Sequence, residues 1–424
     1  MSRIAVIGAG ISGMAAAYLL SRKHTVWLYE RAERLGGHTH THDIATSRGV
    51  QPIDTGFIVH NERTYPNLVR LFHELGVARQ KSDMSFGVSC QATGLEYSSR
   101  GVKGFFARRR NLLRPAHYKL FAEIARFNRV STEFVTRGSG PGSATDRMEM
   151  TLGDYLRTHE FSDEMARLYL YPMASSVWST SLDEIASFPV LTLLRFFFNH
   201  GFLTVNGHPQ WYSVAGGSSS YIAPLTAPYR ERVVTGAEIE SVGHEADAPV
   251  VRFADGRAEK FDEVVFACHA PQALGMLEAP TAAEQSTLAA FRTTKCHTVL
   301  HTDARLLPRR ADARASWNYH LSGSTGRGAA TLTYHMNRLQ NIAAPEDYCV
   351  SLNRTAAIDR TKVLREMEYF HPLYTLDAVR AQGRWSEISG ARHLHFCGAY
   401  WFYGFHEDGL NSAIRVAGRL GVSW

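Results

Sequence analysis

The feature that most constrains this chain is a glycine-rich turn between a short apolar segment and a helix. The apolar run at residues 3–7 leads into the sequence GAGISG at residues 8–13, and a helix is expected over residues 14–22. A second apolar run at residues 25–29 ends on Glu30. The order strand, G-x-G-x-x-G turn, helix, strand and acid is typical of a unit that binds a dinucleotide.

Each part of this segment has its own physical role. Gly8 permits a tight turn, Gly10 lets the backbone approach a pyrophosphate, and Gly13 lets the helix pack closely on the strand. The helix N-terminus offers free N–H groups and the positive end of a dipole to the phosphates. Glu30 is placed to accept hydrogen bonds from ribose hydroxyls, and its charge disfavours the 2′-phosphate of NADP.

Four further segments distinguish between NAD and FAD. Residues 35–38 (LGGH) and 53–58 (IDTGFI) follow the acid, and the C-terminal part contains HLHFCG at 393–398 and GFHEDG at 404–409 before an expected helix over 410–420. Together with the first turn, these segments resemble the extended FAD signature of glutathione-reductase-type and amine-oxidase-like flavoproteins. In one respect the chain departs from amine oxidases, because Ala399 stands where they commonly carry an acid.

This resemblance implies an α/β fold, with a Rossmann-like FAD-binding domain of the glutathione-reductase type and a second, mixed α+β substrate domain. It implies FAD held without a covalent bond. The positions that match the family's cofactor contacts are Gly8, Gly10, Ile11, Ser12, Gly13, Glu30, Arg31, Gly36, Gly37, His38, Thr55, Gly56, Phe57, Ile239, Ala267, Gly398, Glu407, Asp408, Gly409 and Leu410.

The domains are expected to be discontinuous. Residues 1–75, 213–270 and 380–424 would form the FAD-binding domain, and residues 76–212 and 271–379 the substrate domain. The glycine- and serine-rich stretch at 137–143 is expected to be a loop.

A narrower resemblance concerns the substrate. Residues 53–59, 65–67, 82–86 and 403–409 are similar to bacterial flavoproteins associated with cyclopropane-fatty-acid-synthase-type methyltransferases, and to the flavin domain fused to plant cyclopropane synthases. The resemblance implies oxidation or desaturation of a methylated or cyclopropanated fatty acyl chain of a lipid, by hydride transfer to flavin N5, with such a methyltransferase as a partner. Two alternatives stay open: an amine oxidase, and a non-catalytic FAD-bound accessory subunit of a lipid methyltransferase.

The apolar peak at residues 191–203 is the first candidate for a substrate pocket. Phe196, Phe197 and Phe198 are suited to line an apolar slot, and the alternatives are simple core packing or a membrane-facing lip next to Arg195 and the arginines at 108–110. Tyr400 and Trp401 precede the C-terminal helix, where aromatic residues of amine oxidases wall the space before the flavin.

No catalytic base is identified, and the candidates are Tyr400, Tyr403 and His406. The acids Glu407 and Asp408 have a second interpretation, because either one can cap the helix that starts beside it. The histidines at 38, 40 and 42 alternate, but they lack a nearby set of further ligands, so we expect no metal.

The composition of the chain limits the classes of binding partner and the cellular location that we expect. The 424 residues carry 46 basic and 40 acidic side chains, a formal charge of +6, which permits contact with an anionic phospholipid surface. A nucleic-acid-binding module is not found. Five scattered cysteines favour reduced thiols, and with no signal peptide or long apolar span we expect a cytoplasmic protein, with peripheral contact at the inner face of the membrane left open.

Overall fold

The sheets of this chain place the glycine turn and the C-terminal glycines at one edge. The structure is a computed structural model that describes residues 1–46, 49–137, 144–204, 207–322 and 330–424. In chain order its strands are β1 (Arg3–Ile7), β2 (Thr25–Tyr29), β3 (Thr41–Thr46), β4 (Gly49–Asp54), β5 (Val59–Asn61), β6 (Arg79–Ser82), β7 (Phe86–Cys90), β8 (Leu95–Ser98), β9 (Trp211–Val214), β10 (Val233–Val234), β11 (Ile239–Glu245), β12 (Ala248–Phe253), β13 (Ala258–Lys260), β14 (Glu263–Phe266), β15 (Arg292–His301), β16 (Trp317–Leu321), β17 (Leu332–His335), β18 (Cys349–Leu352), β19 (Val363–Leu373) and β20 (Leu394–Phe396).

The helices connect these strands and cover the sheets. In chain order they are α1 (Ile11–Leu20), α2 (Pro66–Glu74), α3 (Gly101–Phe105), α4 (Pro115–Arg137), α5 (Ala144–Glu149), α6 (Leu152–Thr158), α7 (Asp163–Met165), α8 (Tyr171–Trp178), α9 (Leu182–Ile185), α10 (Val190–His200), α11 (Ile222–Thr226), α12 (Ala270–Met276), α13 (Ala282–Leu288), α14 (Met336–Leu339), α15 (Leu376–Gln382), α16 (Trp385–Ile388) and α17 (His406–Arg419). A π-helical turn over Ala166–Leu170 joins α7 to α8. The structure therefore has the mixed α/β architecture expected from the sequence.

A five-stranded parallel sheet organises the N-terminal turn. Its order is β10-β2-β1-β14-β20. The central strands β1 and β14 are almost wholly buried and rich in Val and Ile, as parallel strands covered on both faces are. The register pairs Ile7 with Tyr29 and with Phe266, and Phe266 with Phe396. The carboxyl ends of four strands consequently meet at one edge, which is where open α/β sheets bind ligands.

A second layer is built on a seven-stranded mixed sheet of order β19-β15-β18-β17-β16-β7-β8. Its apolar face packs with the helices between residues 101 and 203 into a separate core cluster, which includes Phe127, Tyr155 and Leu193. The long helix α4 packs against α10 in this layer.

The domain borders given above remain a prediction. The parallel sheet draws its strands from residues 3–29, 233–266 and 394–396, and the seven-stranded sheet from residues 86–98 and 292–373. The loop expected at 137–143 lies, from residue 138 onward, outside the described residues. Within the described part of the chain, none of the helices is both long and apolar enough to cross a membrane.

Candidate active site

The glycine turn is fixed by close backbone contacts. Gly8 has φ +103°, a left-handed conformation that glycine adopts without strain. A Cβ on Gly13 would lie 1.8 Å from the carbonyl oxygen of Gly8, so only glycine lets α1 approach β1 this closely. A Cβ on Gly10, in contrast, would meet no atom within 4 Å. The space over Gly10 is therefore open, and it faces a large cavity.

Glu30 holds this turn and also faces the cavity. One carboxylate oxygen accepts a hydrogen bond from the Ala9 N–H at 2.7 Å, and the other accepts from the Ala32 N–H at 2.9 Å. Each oxygen retains a second lone pair. The carboxylate thus orders the backbone around the turn and keeps acceptor capacity toward the cavity that it lines.

The segment after Glu30 crosses above the turn. Gly36 donates its N–H to the Ala9 carbonyl at 2.8 Å, and Phe57 donates to the His38 carbonyl at 2.7 Å. Beneath it, the buried carboxylate of Asp54 accepts from the Ser218 N–H, the Ser218 hydroxyl and the Thr41 hydroxyl. Burial raises the pKa of Asp54 to about 6 although these hydrogen bonds lower it. Asp54 therefore links the β3–β4 hairpin to the turn at Ser218.

The C-terminal segment closes the opposite side. Gly398 donates its N–H to the Ser412 hydroxyl at 2.9 Å, and Gly409 lies where a Cβ would be 2.7 Å from the Ser12 hydroxyl oxygen. These contacts bring the start of α17 against the start of α1. The first residues of both helices also line the same cavity, and the N-terminus of a helix favours anionic groups.

His406 begins α17 and lines the cavity. Its Nε2 hydrogen-bonds the Thr39 hydroxyl at 2.9 Å, and its ring stacks on Phe57 with centroids 3.7 Å apart. Burial, and then the neighbouring His60, lowers the pKa of His406 to about 3. The imidazole is consequently neutral near pH 7 and acts there as a hydrogen-bonding group.

The two acids beside His406 serve helix ends. Asp408 accepts from the Phe405 N–H at 2.9 Å and caps its own helix, as the simpler interpretation of the sequence holds. Glu407 instead accepts from the Asn67 N–H at 3.0 Å and the Leu68 N–H at 2.8 Å, so it caps α2. Neither carboxylate lines the cavity.

One cavity of about 470 Å³ unites most of the predicted site. The expected residues that line it are Gly8, Gly10, Ile11, Ser12, Glu30, Arg31, Gly36, Gly37, His38, Gly56, Phe57, Phe196, Ile239, Ala267, Gly398, Tyr400 and His406. Those that do not line it are Gly13, Thr55, Phe197, Phe198, Trp401, Tyr403, Glu407, Asp408, Gly409 and Leu410. The cofactor and catalytic roles of all these residues remain predictions.

The three consecutive phenylalanines separate on helix α10. Phe196 faces the cavity, Phe197 is buried in the second core, and Phe198 is 38% exposed. Successive positions of an α-helix point about 100° apart, so three neighbours cannot line one slot. The three side chains therefore do not share one cavity wall, and the role of this run in binding a substrate stays a prediction.

The end of the cavity away from the glycine turn is apolar and aromatic. Phe196 packs on Trp178 and Phe405, with ring centroids 4.9 and 4.8 Å away, and the same end is lined by Val59, Met84, Val177, Phe202, Trp211, Trp317, Tyr334 and Tyr374. Lysine is absent from the described residues around the cavity, and Glu30 and Arg31 at the turn are the only Asp, Glu or Arg among them.

Sequence reasoning missed two histidines that gather around His38. His371 lies 5.2 Å from it and His269 lies 6.4 Å from it, between ring centroids, and both line the cavity. Burial lowers the pKa of all three imidazoles, that of His371 to about 4. Since the three come from distant segments, no local signal could have joined them. Over the described ranges, no group of three or more His, Cys, Asp or Glu side chains has an arrangement that could hold a metal ion.

The fold and this site define a protein with a dinucleotide-binding type of sheet and a cavity that is apolar at one end. A family model described as flavin containing amine oxidoreductase matches residues 11–331, which is more than half of the chain. The chain belongs to that family. It is a flavin-dependent oxidoreductase, and its cofactor is FAD.

Solved structures share the fold over nearly the whole length. A CLA-producing fatty acid isomerase from P. acnes matches with a TM-score of 0.71 and 15% identity, covering 99% of each chain. A putrescine oxidase matches with a TM-score of 0.72 and 13% identity, and a cyclohexylamine oxidase from Brevibacterium oxydans IH-35A with 0.66 and 15%. Each covers 99% of this chain, and 98% and 99%, respectively, of the matched structure. At these identities the likeness shows the fold alone.

The residues present fit FAD. The open space over Gly10 leaves room for a pyrophosphate at the N-terminus of α1. The buried Nε2 of His38 has no hydrogen-bond partner among the described residues, and His38 lines the cavity. Such a group is expected to find a partner when a polar ligand is bound.

Proposed function

We propose that this oxidoreductase oxidises or desaturates a fatty acyl chain of a lipid. The observation that carries the proposal is the apolar end of the cavity, where Phe196, Trp178 and Tyr374 are lining residues. Transfer of an acyl chain from water to such a surface is favourable, by about 0.8 kcal/mol for each buried CH₂. The described residues at this end offer no carboxylate to a charged amine.

Desaturation of an unactivated acyl chain needs no charged base from the protein. Bound FAD supplies a hydride acceptor at N5. Desaturation of such a chain removes a hydride, which FAD would accept, and a proton from the adjacent carbon, which the neutral His406 or a water molecule would accept. The lining residues act by holding the two carbons in position. The neutral His406, fixed by Thr39 and Phe57, agrees with a site that needs no charged base.

The nature of the acyl chain is proposed from the resemblance of the sequence motifs. We propose a methylated or cyclopropanated chain and a cyclopropane-synthase-type methyltransferase as the partner that makes it. The fatty acid isomerase among the structural matches adds weak support for a fatty acyl substrate. The five cysteines are all unpaired thiols, which favours a reducing, cytoplasmic location.

The test is anaerobic reduction of the purified FAD protein by defined substrates. Phospholipids with cyclopropane or methyl-branched chains should bleach the flavin, whereas putrescine and cyclohexylamine should not. Bleaching by an amine and by none of the lipids would establish the amine-oxidase alternative. If neither class reduces the flavin and the protein co-purifies with the methyltransferase, it is an accessory subunit.

A matched pair of variants ties the activity to the cavity. Phe196→Trp adds bulk at the apolar end, whereas Phe198→Trp adds the same bulk on the exposed side of the same helix. We expect the first to slow reduction by long acyl chains at least tenfold and the second to leave it unchanged. The FAD content of both proteins reports whether they are folded. Equal behaviour of the two variants would place the acyl chain elsewhere.

A further inference from the structure

The described surface has one segment where exposed apolar side chains and unpaired cations lie together. We call residues 99–122 the basic-apolar face. It runs through α3, a 3₁₀ turn at Arg109–Leu113 and the start of α4. Five of the ten large apolar side chains exposed over the described ranges belong to it: Val102, Leu112, Leu113, Tyr118 and Phe121. This concentration is unusual for a surface that meets only water.

The same face is strongly cationic. Residues 99–122 contain no Asp or Glu and seven basic side chains, Arg100, Lys103, Arg108, Arg109, Arg110, Arg114 and Lys119. Although 25 ion pairs occur elsewhere among the described residues, none of these seven cations takes part in one. Within the described part of the chain none of them is ion-paired, and five of them, Arg100, Lys103, Arg109, Arg110 and Lys119, are exposed.

The face is held in place by its own packing. The buried His117 bonds the carbonyl oxygen of Phe105 through Nε2 at 2.9 Å, and its ring lies 4.3 Å from the Phe105 ring. Arg108 donates to the Thr93 and Gly94 carbonyls at 3.1 and 2.8 Å. Leu113 and Phe121 nevertheless remain 85% and 52% exposed. The apolar side chains are thus presented to the outside by an ordered support.

We infer that the basic-apolar face docks this protein on an anionic phospholipid bilayer. Apolar side chains interleaved with Lys and Arg are the pattern by which peripheral proteins insert shallowly among lipid headgroups. Each cation near an anionic leaflet adds about a fivefold factor to the affinity, and the apolar side chains add burial. The inference differs from a lip built on the Phe196–Phe198 run, since Phe196 and Phe197 are buried.

The position of the face relative to the cavity agrees with this role. Helix α4 packs against α10, and Phe196 of α10 lines the apolar end of the cavity. The start of α4 and helix α10 also share one core cluster, to which Leu120 and Phe196 both belong. The inference stands on the surface alone and does not depend on which substrate the cavity takes.

The test is flotation of the FAD-loaded protein with vesicles. One set is phosphatidylcholine alone, and the other is an equimolar mixture of phosphatidylcholine and phosphatidylglycerol. We expect binding to the mixed vesicles only, weakened by salt. Arg109→Gln with Arg110→Gln should weaken it about 30-fold, because two cations are lost. Leu113→Ser should weaken it severalfold without loss of FAD, since the side chain is exposed.

Matched controls use the same changes at other exposed positions. Arg230→Gln with Arg292→Gln removes two exposed cations that have no ion-pair partner in the described ranges, and Val50→Ser removes an exposed apolar side chain. These variants should bind as the wild type does. Failure to bind the anionic vesicles, or equal loss in the controls, would overturn the inference. If the protein fails to bind the anionic vesicles, an acidic protein becomes the candidate partner for the basic-apolar face. Flavin reduction by detergent-dispersed substrate should be unchanged in every variant. Flotation therefore tests the docking inference alone, and flavin reduction tests the substrate proposal alone.

Discussion

Substitution by alanine should have different effects at two glycines of the same turn, a loss of stability at Gly13 and a loss of FAD affinity at Gly10. At Gly13, a methyl group would lie 1.8 Å from the Gly8 carbonyl oxygen and 3.1 Å from the Cβ of Ala267. Contacts below 3.0 Å essentially never occur, so α1 or the turn must move by about 1 Å or more. Because the crowding atom belongs to backbone, we expect Gly13→Ala to cost about 3 kcal/mol of unfolding free energy, the upper end of ordinary overpacking.

Gly10→Ala should spare the fold and weaken the cofactor. Gly10 has φ −71° and ψ −179°, which any L-residue adopts, and its Cβ would meet no protein atom within 4 Å. The cost to the apoprotein should stay within about 1 kcal/mol, the difference between glycine and alanine at a helix N-cap. The added methyl fills the space through which a pyrophosphate approaches, so the Kd for FAD should rise about 10- to 100-fold, equivalent to about 1.4–3 kcal/mol.

The assays are urea unfolding of the apoprotein and fluorimetric titration with FAD. Gly418→Ala is the control, because its Cβ also meets nothing within 4 Å and it lies near the end of α17. It should raise stability by about 0.5–1 kcal/mol without changing FAD affinity. The reasoning is refuted if Gly13→Ala unfolds at the wild-type urea concentration, or if Gly10→Ala binds FAD as tightly as the wild type.

Three further predictions concern buried carboxylates and helix α10. Burial raises the pKa of Asp408 to about 7, so the folded state holds this proton more tightly than the unfolded chain; the stability from this group is full below the ordinary Asp pKa and is lost as pH rises toward 7. The unfolding free energy of the wild type should therefore fall between about pH 5 and about pH 8, and in Asp408→Asn this fall should be smaller by about 1 kcal/mol or more. An unchanged pH dependence of urea unfolding in the variant would contradict this. Glu407→Gln leaves one acceptor oxygen for the Asn67 and Leu68 N–H groups and should cost about 1–2 kcal/mol in the same assay, whereas no loss would mean that the cap is not formed. Phe197→Ala should cost about 3–5 kcal/mol because its ring is fully buried, while Phe198→Ala should cost under about 1 kcal/mol; similar costs would reject the assigned helix phase.

The cofactor end of the site was largely predictable because its requirements are local. Gly8 has the positive φ of a tight turn, and at Gly13 the crowding atom is the carbonyl oxygen of Gly8, five positions away. The strand ending on Glu30 likewise needs only a neighbouring parallel strand to bring its carboxylate to the turn. Such short-range constraints leave a fixed spacing in the sequence, which is why the first 30 residues indicate a dinucleotide-binding unit.

The substrate end was not predictable in the same way. Its wall draws Met84, Trp178, Phe196, Trp317 and Tyr374 from five separate segments, and nothing in their local sequence separates them from core residues. The run at 196–198 is an example of this limit. Its apolar composition predicts a buried helix but does not predict which of the three side chains faces the cavity.

Glu407 shows the same limit for a polar residue. The sequence supported either a cap of its own helix or a contact with the cofactor. Its carboxylate instead accepts hydrogen bonds at the start of α2, some 340 positions away along the chain. An N-terminal cap supplied from so far away leaves no spacing signature, since the usual capping residue stands immediately before its helix.

The two ends of the cavity are made from different parts of the polypeptide, and this has a consequence for substrate range. At the glycine turn, the cavity is bounded by backbone N–H groups, glycines and the start of α1, whose geometry depends on the path of the chain. At the apolar end it is bounded by side chains such as Phe196 and Tyr374, whose replacement leaves the chain path intact. One fold can then keep its glycine turn while the side chains at the apolar end change. That is the relation expected among structures that share this fold at 13–15% identity and whose names record a fatty acid in one case and amines in others.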